Sequence, residues 1–245
     1  MYFMKYKRYY TEKEIIIGSP FVLDGEEFLH LSQVMRTRVG DTVTLFNGDG
    51  YDYNGKVVEI LKKSAVIEVF EKIENNMTTK ASVTLFQALV KGDKLSTIVQ
   101  KNTELGTKEI VLFESEFSDV KVGNKNLDKQ KRVVVSACKQ CGSSELLIIE
   151  KEVKFKEMIE MLGNYDKIIF AYECEQSNNI GDVLTTLSNN SKIAVIVGAE
   201  GGFSEKEAQE IAGVGGISTR LGKRILRAET AGIVLPGMII LSLEK

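Results

Sequence analysis

Residues 193–211, IAVIVGAEGGFSEKEAQEI, restrict what this chain can fold into more than any other stretch. Ile193, Val195, Ile196 and Val197 form a short β-branched run, the pattern of a strand covered on both faces. Gly198, Gly201 and Gly202 follow, where the backbone can take turns and approaches that a side chain would block. Ser204 and Glu207 have the spacing of a capping box and predict a helix starting there. A buried strand, a glycine loop and a capped helix place free backbone amides at the carboxyl end of a parallel sheet, where open α/β sheets bind ligands.

A second segment, RLGKRILRAETAG at 220–232, adds chemistry to that geometry. Arg220, Arg224 and Arg227 are interleaved with Leu221, Ile225 and Leu226, and Glu229 follows the last arginine closely. Planar, permanently charged guanidinium forks suit phosphate and nucleobase recognition. The competing reading is a cluster held in carboxylate pairs.

The 245 residues suit one large or two modest domains and are ample for a core. A formal net charge of −2 excludes a bulk nucleic-acid binder of the strongly basic kind, so RNA would be held through local patches. Three cysteines and one histidine, His30, argue against a disulfide framework or a tetrahedral zinc site. Cys138 and Cys141 lie in a helix-like stretch without a preceding strand, which favours packed thiols over a redox pair. The amino terminus lacks a secretory apolar core, and the apolar run at 233–243 is short and interrupted by Pro236 and Gly237. A soluble cytoplasmic protein is expected.

Residues 1–72 read as a small β-rich domain, with short strands at 14–17, 42–46, 55–61 and 65–70 separated by turn signals. Such strands suggest a small barrel. One helix, 26–36, interrupts them and places Phe28, Leu31 and Met35 on one face, with Arg36 and Arg38 at its exit. At the amino terminus Lys5, Lys7 and Arg8 mix with Tyr2, Phe3, Tyr6, Tyr9 and Tyr10, either to stack bases and pair phosphates or to alternate into the barrel core. The polar stretch 73–80 reads as a linker. From 81 to 245 strands and helices alternate: strands at 82–89, 109–113, 146–149 and 167–171, and helices at 94–105, 127–141, 154–162 and 180–187, before the glycine-loop unit. That order predicts a mostly parallel sheet between helices.

With VGAEGGFS and LGKRILRAETA in hand, the chain resembles the RsmE family, SPOUT-class methyltransferases of uridine N3 in small-subunit (16S) ribosomal RNA. Arg8-Tyr9-Tyr10, HLSQVMRTRVGD, LFNGDG, QKNTELGTKEI, ACKQCG and AYECE match further family segments in order, so the resemblance covers nearly the whole chain. Departures are Ala199 for a proline, Lys223 where proline is frequent, Ala228 for a threonine, and Ser143 and Phe117 where arginines are usual. Ala199 should loosen its turn, and Pro236 should kink the last helix.

The resemblance implies a trefoil-knotted SPOUT methyltransferase domain, α/β with a mostly parallel sheet, preceded by a PUA-like β-barrel domain that helps hold RNA. It implies S-adenosyl-L-methionine as cofactor, bound by Tyr172, Glu173, Val197, Gly198, Glu200, Gly201, Gly202, Leu221, Gly222, Ile225 and Leu226, with the glycines needed because the cofactor packs on bare backbone. Arg227 would orient the base or stabilise charge on a uracil oxygen, and Glu229 would accept a proton or position Arg227. Arg8, Arg36, Arg38, Lys101 and Arg224 are candidate RNA contacts. The expected partners are 16S ribosomal RNA or the small subunit and a second copy of the chain, with no metal and no membrane. Two other readings stand: a SPOUT methyltransferase acting on a ribose 2′-hydroxyl, and an RNA-binding protein that keeps the fold without catalysis.

Overall fold

The structure is a computed structural model that describes residues 6–77, 79, 81–123 and 127–244, with the backbone alone at residue 150. Tyr2, Phe3 and Lys5 of the aromatic-basic segment, and linker residues 78 and 80, lie outside the described residues. The chain forms two compact units. One takes in the described residues before Thr79 together with Cys138–Leu146, and the other takes in the rest.

The first unit is built on a five-stranded sheet with the order β1-β3-β4-β5-β2. Its strands are β1 (Lys7–Tyr10), β2 (Pro20–Asp24), β3 (Thr42–Phe46), β4 (Tyr51–Ile60) and β5 (Ser64–Glu74). β1 pairs parallel with β3, and the remaining pairs are antiparallel. The strand expected at 14–17 is not formed. Ile15 alone of its isoleucines is buried, while Ile16 and Ile17 are exposed. The strand instead begins at Pro20, a position where a missing N–H is tolerated. In the β4–β5 hairpin the register shifts at Gly55, where a Cβ would sit 3.0 Å from the Glu68 carbonyl oxygen and closer still to the Ile67 side chain.

The expected helix at 26–36 is shorter. α1 (Gly25–Leu29) passes into a π-helical turn at His30–Val34, and Arg36 takes a left-handed φ of 48° that ends it. Phe28 and Leu31 still enter the core, with Met35 packed against it. Tyr9 is fully buried, and its hydroxyl lies 2.8 Å from Thr37 Oγ1. The tyrosine thus belongs to the core.

The second unit alternates strictly: β6 (Ser82–Ala88), α2 (Lys94–Leu105), β7 (Glu109–Glu114), α3 (Leu127–Cys141), β8 (Ile148–Lys154), α4 (Phe155–Leu162), β9 (Lys167–Ala171), α5 (Ile180–Leu184), β10 (Lys192–Val197), α6 (Glu205–Gly213), β11 (Gly216–Thr219) and α7 (Ala228–Leu243). The sheet order is β11-β9-β10-β6-β7-β8, and every pairing is parallel. From β6 the chain builds outward to β8, then crosses to β9 and returns to insert β10 beside β6. A reversal of this kind leaves a crevice at the carboxyl ends of the strands.

Differences from the sequence reading have physical causes. β8 starts later than expected and runs to Lys154, because its parallel pairing with β7 extends to Glu114. β11 was not foreseen; GIST is short and shows no alternation, and it forms by pairing with β9. α7 runs as one helix through Pro236. A proline leaves the carbonyl four residues earlier without its helical donor. That carbonyl belongs to Gly232, and Asn102 Nδ2 donates to it at 2.9 Å. In the apolar stretch 233–243, Leu235, Ile239, Ile240 and Leu243 are buried in the core, and Leu241 is exposed.

Candidate functional site

β10 ends in a turn that the glycines make possible. Gly202 has a φ of 71°, and its backbone N–H donates to the Ala199 carbonyl at 3.0 Å. The turn is therefore closed with alanine in place of proline. A Cβ on Gly201 would lie 2.7 Å from Phe117 Cβ, and one on Gly202 would overlap the Glu173 carboxylate. Packing against the protein itself is thus one reason for glycine at these two positions, which also line the cavity. Gly222, by contrast, has a φ of 148° and nothing within 4 Å of a Cβ position. Its bare backbone faces open space.

The capping box expected at the next helix is formed. Ser204 Oγ accepts from the Glu207 N–H at 3.3 Å, and Glu207 Oε2 accepts from the Ser204 N–H at 3.1 Å. Glu207 Oε1 also accepts the Glu116 N–H at 2.8 Å, which ties the helix start to the segment after β7.

Three loops converge beyond the carboxyl ends of β9, β10 and β11 around a cavity of about 600 Å³. Backbone hydrogen bonds join the first to the third: Tyr172 N–H to Thr219 O at 3.1 Å, Arg220 N–H to Asn178 O at 3.0 Å, and Ile180 N–H to Arg220 O at 3.2 Å. Glu175 fastens the same junction. It accepts from the Ser218 hydroxyl and from the Ser177 and Asn178 N–H groups. These bonds, the serine hydroxyl first, hold its carboxyl at a pKa of about 2. Burial, then the Cys174 thiol, raises the Tyr172 phenol above its ordinary value.

All of the residues expected at the cofactor line this one cavity: Tyr172 and Glu173 from the first loop, Val197, Gly198, Glu200, Gly201 and Gly202 from the second, and Leu221, Gly222, Ile225 and Leu226 from the third. Arg224 and Arg227 line it too. Arg227 is the N-cap residue of α7, with extended backbone and an exposed side chain. Glu229, in the first turn of α7, is partly buried, and its Oε2 has no hydrogen-bond partner. The loop apex is wet: Ile225 is 84% exposed.

Sequence reasoning missed Lys94. It is the first residue of α2, lines the cavity, and places Nζ 2.6 Å from Glu200 Oε1 and 3.7 Å from Glu229 Oε2. The only signal in the sequence is its place just after the carboxyl end of β6. Burial opposes ionisation of Glu200, but hydrogen bonds from Lys94 and from backbone amides outweigh it and lower the carboxyl's pKa. The hydrogen bond to Glu200 likewise raises the Lys94 ammonium's pKa. Gln87, at the end of β6 and fully buried, donates to the Gly198 carbonyl at 3.3 Å and so steadies the glycine loop from behind.

The expected RNA contacts divide. Arg36 and Arg38 are exposed in the first unit. Lys101 is on α2 and pairs with Glu104 at 2.9 Å. Arg8 is a correction. Its side chain is 5% exposed, pairs with Asp52 at 2.9 Å, donates to Ser144 Oγ at 2.6 Å and to Ser143 O at 3.1 Å, and lies 4.9 Å over the Phe46 ring. A guanidinium so enclosed fastens the 138–146 segment within its unit and is not available to a phosphate. Cys138 is buried at the end of α3. Among the described residues no cluster of metal-ligating side chains occurs, and no helix is long and apolar enough to cross a membrane.

Residues 77–240 match the RNA methyltransferase domain family, and residues 23–70 match the RNA methyltransferase PUA domain. Among curated proteins, the ribosomal RNA small subunit methyltransferase E of Buchnera aphidicola subsp. Acyrthosiphon pisum is 30% identical over 94% of this chain and 91% of its own length. That of Bacillus subtilis is 29% identical over 90% of each chain. Among solved structures, a ribosomal RNA small subunit methyltransferase E from Neisseria gonorrhoeae bound to S-adenosyl methionine superposes with a TM-score of 0.88 at 27% identity, covering 97% of this chain and 98% of the other. The methyltransferase Lpg2936 of Legionella pneumophila, in complex with the same cofactor, gives 0.86 at 25% identity, covering 96% and 97%. With a parallel α/β unit whose loops enclose the cavity, a separate PUA-type unit, and relatives matched over nearly their full length, this chain belongs to the ribosomal RNA small subunit methyltransferase E family.

Proposed function

We propose that this chain transfers a methyl group from S-adenosyl-L-methionine to N3 of a uridine in 16S ribosomal RNA. The observation that carries the reading is the convergence of the three loops on one cavity, with Arg227 at the start of α7 in its lining. The cavity's volume of about 600 Å³ falls within the range of small-molecule sites. Its mixed lining also fits the group: bare backbone at Gly222, apolar Leu221 and Leu226, and the carboxylates of Glu173 and Glu200. The family relatives solved with this cofactor support the same assignment.

The bound cofactor supplies an electrophilic methyl, so that the S–CH₃ bond breaks as N3–CH₃ forms and the sulfur leaves as a neutral thioether. The residues of this chain must align the uracil and take away its N3 proton. Alignment alone carries large rate factors, with effective molarities on the order of 10⁵ M or more. Arg227, exposed at the cavity edge, donates to a uracil oxygen as negative charge develops on the ring. Glu229 accepts the proton; its Oε2 is buried and makes no hydrogen bond, so its lone pairs are uncommitted. Arg224 faces the same cavity and meets the RNA backbone, and Arg36 and Arg38 of the PUA-type unit also contact RNA.

The reading also carries a trefoil knot formed where the third loop passes the first, supported by their backbone bonds at Asn178, Thr219 and Arg220. It carries a cytoplasmic homodimer as well, for which the exposed Leu241 on α7 offers an apolar contact. The test is transfer of labelled methyl groups to assembled small ribosomal subunits that lack the modification. Label in the RNA is expected. Cofactor binding without transfer to free or assembled RNA would favour the non-catalytic binding protein.

A further inference from the structure

We infer that Lys94 is a positioning residue for the reaction: its ammonium, at the cavity wall beside Glu200 of the glycine loop, reaches back to Glu229 in the first turn of α7 and sets where that proton acceptor stands behind the wall. The inference rests on the methyl-transfer reading above and names a residue that neither the resemblance nor the arginine cluster pointed to.

Three segments far apart in the chain meet at this ammonium. Lys94 opens α2, Glu200 lies in the turn after β10, and Glu229 lies in the first turn of α7. The Lys94 side chain is 33% exposed, Glu200 30% and Glu229 20%, so the group is half withdrawn from water. The two contacts are unequal. Lys94 Nζ makes a short charged hydrogen bond to Glu200 Oε1, 2.6 Å, and stands 3.7 Å from Glu229 Oε2 without bonding it. Glu200 is further fixed by the Lys91 N–H at 3.2 Å. Lys94 is therefore anchored on Glu200, and its remaining protons face Glu229 and the cavity.

That inequality suits a proton acceptor. A carboxylate saturated with hydrogen bonds has no lone pair to spare, whereas Glu229 Oε2, buried and without a hydrogen bond, keeps its lone pairs uncommitted. When the N3–H bond breaks, the proton passes to Glu229 as the N3–CH₃ bond forms. The charged groups around Lys94 are Glu200 from the glycine loop, Glu229 from α7 and Arg227 just before α7. Two cations thus oppose two carboxylates. Without Lys94, Glu200 and Glu229 lose the cation they share, and the start of α7, with Arg227 on it, loses its tie to the glycine loop.

The experiment compares wild type, Lys94→Met and Lys94→Arg as full-length chains, with thermal melting as the check on folding and Lys94→Gln as a second neutral variant. Methyl transfer to unmodified small subunits is followed across pH, and cofactor affinity is measured by calorimetry. Lys94→Met is expected to lower kcat by roughly tenfold to a hundredfold, the scale of a misplaced reacting group, with cofactor affinity kept within about threefold. Its acidic limb should move to higher pH, because removing a nearby cation disfavours ionised carboxylates. Lys94→Arg should restore most of kcat and return the limb. Unchanged kcat in both neutral variants would overturn the inference, and so would a loss confined to cofactor affinity, or an arginine variant no better than methionine with the limb unmoved. Wild type without any transfer would instead overturn the methyl-transfer reading itself.

Discussion

Asn102 donates a 2.9 Å hydrogen bond to the carbonyl of Gly232, the group that Pro236 leaves without a donor inside α7. The amide is fully buried. It also donates to Ile98 O at 3.0 Å and accepts from the Thr107 hydroxyl at 2.7 Å. A Cβ on Gly232 would overlap the side-chain oxygen of Gln87, so the helix lies directly against the polar end of β6. This packing fixes the helix whose first turn carries Glu229. Asn102→Ala strands a carbonyl and a hydroxyl away from water and should cost about 1–3 kcal/mol. The midpoint of urea unfolding measures it. An unchanged midpoint would mean that α7 does not depend on this bond.

Gly202→Ala meets two obstacles, a φ of 71° and the Glu173 carboxylate. The carboxylate, at the end of an exposed side chain, can swing aside, but the backbone strain stays. The variant should lose about 1–3 kcal/mol of stability, the scale of a strained backbone position. It should also weaken cofactor affinity by about tenfold or more, since 1.4 kcal/mol of misfit at the cavity is a factor of ten. Calorimetric titration with wild-type affinity would show that the loops close without this glycine.

Arginines of the PUA-type unit separate by burial. Arg8→Ala leaves Asp52 unpaired in a partly buried site and should destabilise the protein by about 3 kcal/mol. Arg36→Ala and Arg38→Ala remove exposed charges and should change stability by less than about 0.5 kcal/mol. RNA affinity should respond in the opposite sense, falling and losing salt dependence for the exposed pair. Denaturation and salt-dependent RNA binding on the same three variants decide the matter. Reduced RNA binding by a fully stable Arg8→Ala would return that arginine to the RNA surface.

Glu175 titrates at about 2 in the folded protein, against an ordinary carboxyl value near 4.3 when unfolded. A depressed folded pKa contributes stability above the unfolded value, and the contribution is lost as pH falls through the folded one. Wild type should therefore exceed Glu175→Gln in stability most above about pH 5, with the margin shrinking from there toward about pH 2. Urea midpoints at several pH values give the comparison. A margin independent of pH would assign Glu175 a packing role only.

The parts of this molecule that were legible in the sequence are those where local pattern and tertiary demand coincide. β10 reads clearly because Ile193, Val195, Ile196 and Val197 are all buried, and α6 because its cap is closed by residues three apart. The cavity was legible because two of its three walls carry a glycine or arginine signal, while the first, Tyr172 to Gln176, was reached only through the family resemblance. Elsewhere local pattern misleads. Glu14-Ile15-Ile16-Ile17 has strand composition, yet two of its isoleucines face water. β11 exists only through its pairing with β9. The end of α3 and the turn after it join the first unit through long-range bonds such as Asn75 Nδ2 to Gly142 O, 2.9 Å, which no local window contains. Lys94 was missed for the same reason, since its two partners lie more than a hundred residues away. Arg8 was misplaced because a buried guanidinium and an RNA-binding one look alike in a sequence.

The most direct test of the account is the identity of the methylated nucleoside. Small-subunit RNA is digested after reaction with wild type and Arg227→Ala, and the labelled nucleoside is identified by chromatography and mass. The account predicts 3-methyluridine, with its rate of formation lowered by about 10²–10³ in Arg227→Ala, as for loss of a charge-stabilising donor, and with cofactor binding retained. A ribose 2′-O-methylated nucleoside would contradict the assignment to uracil N3, and undiminished 3-methyluridine from Arg227→Ala would contradict the role given to that arginine.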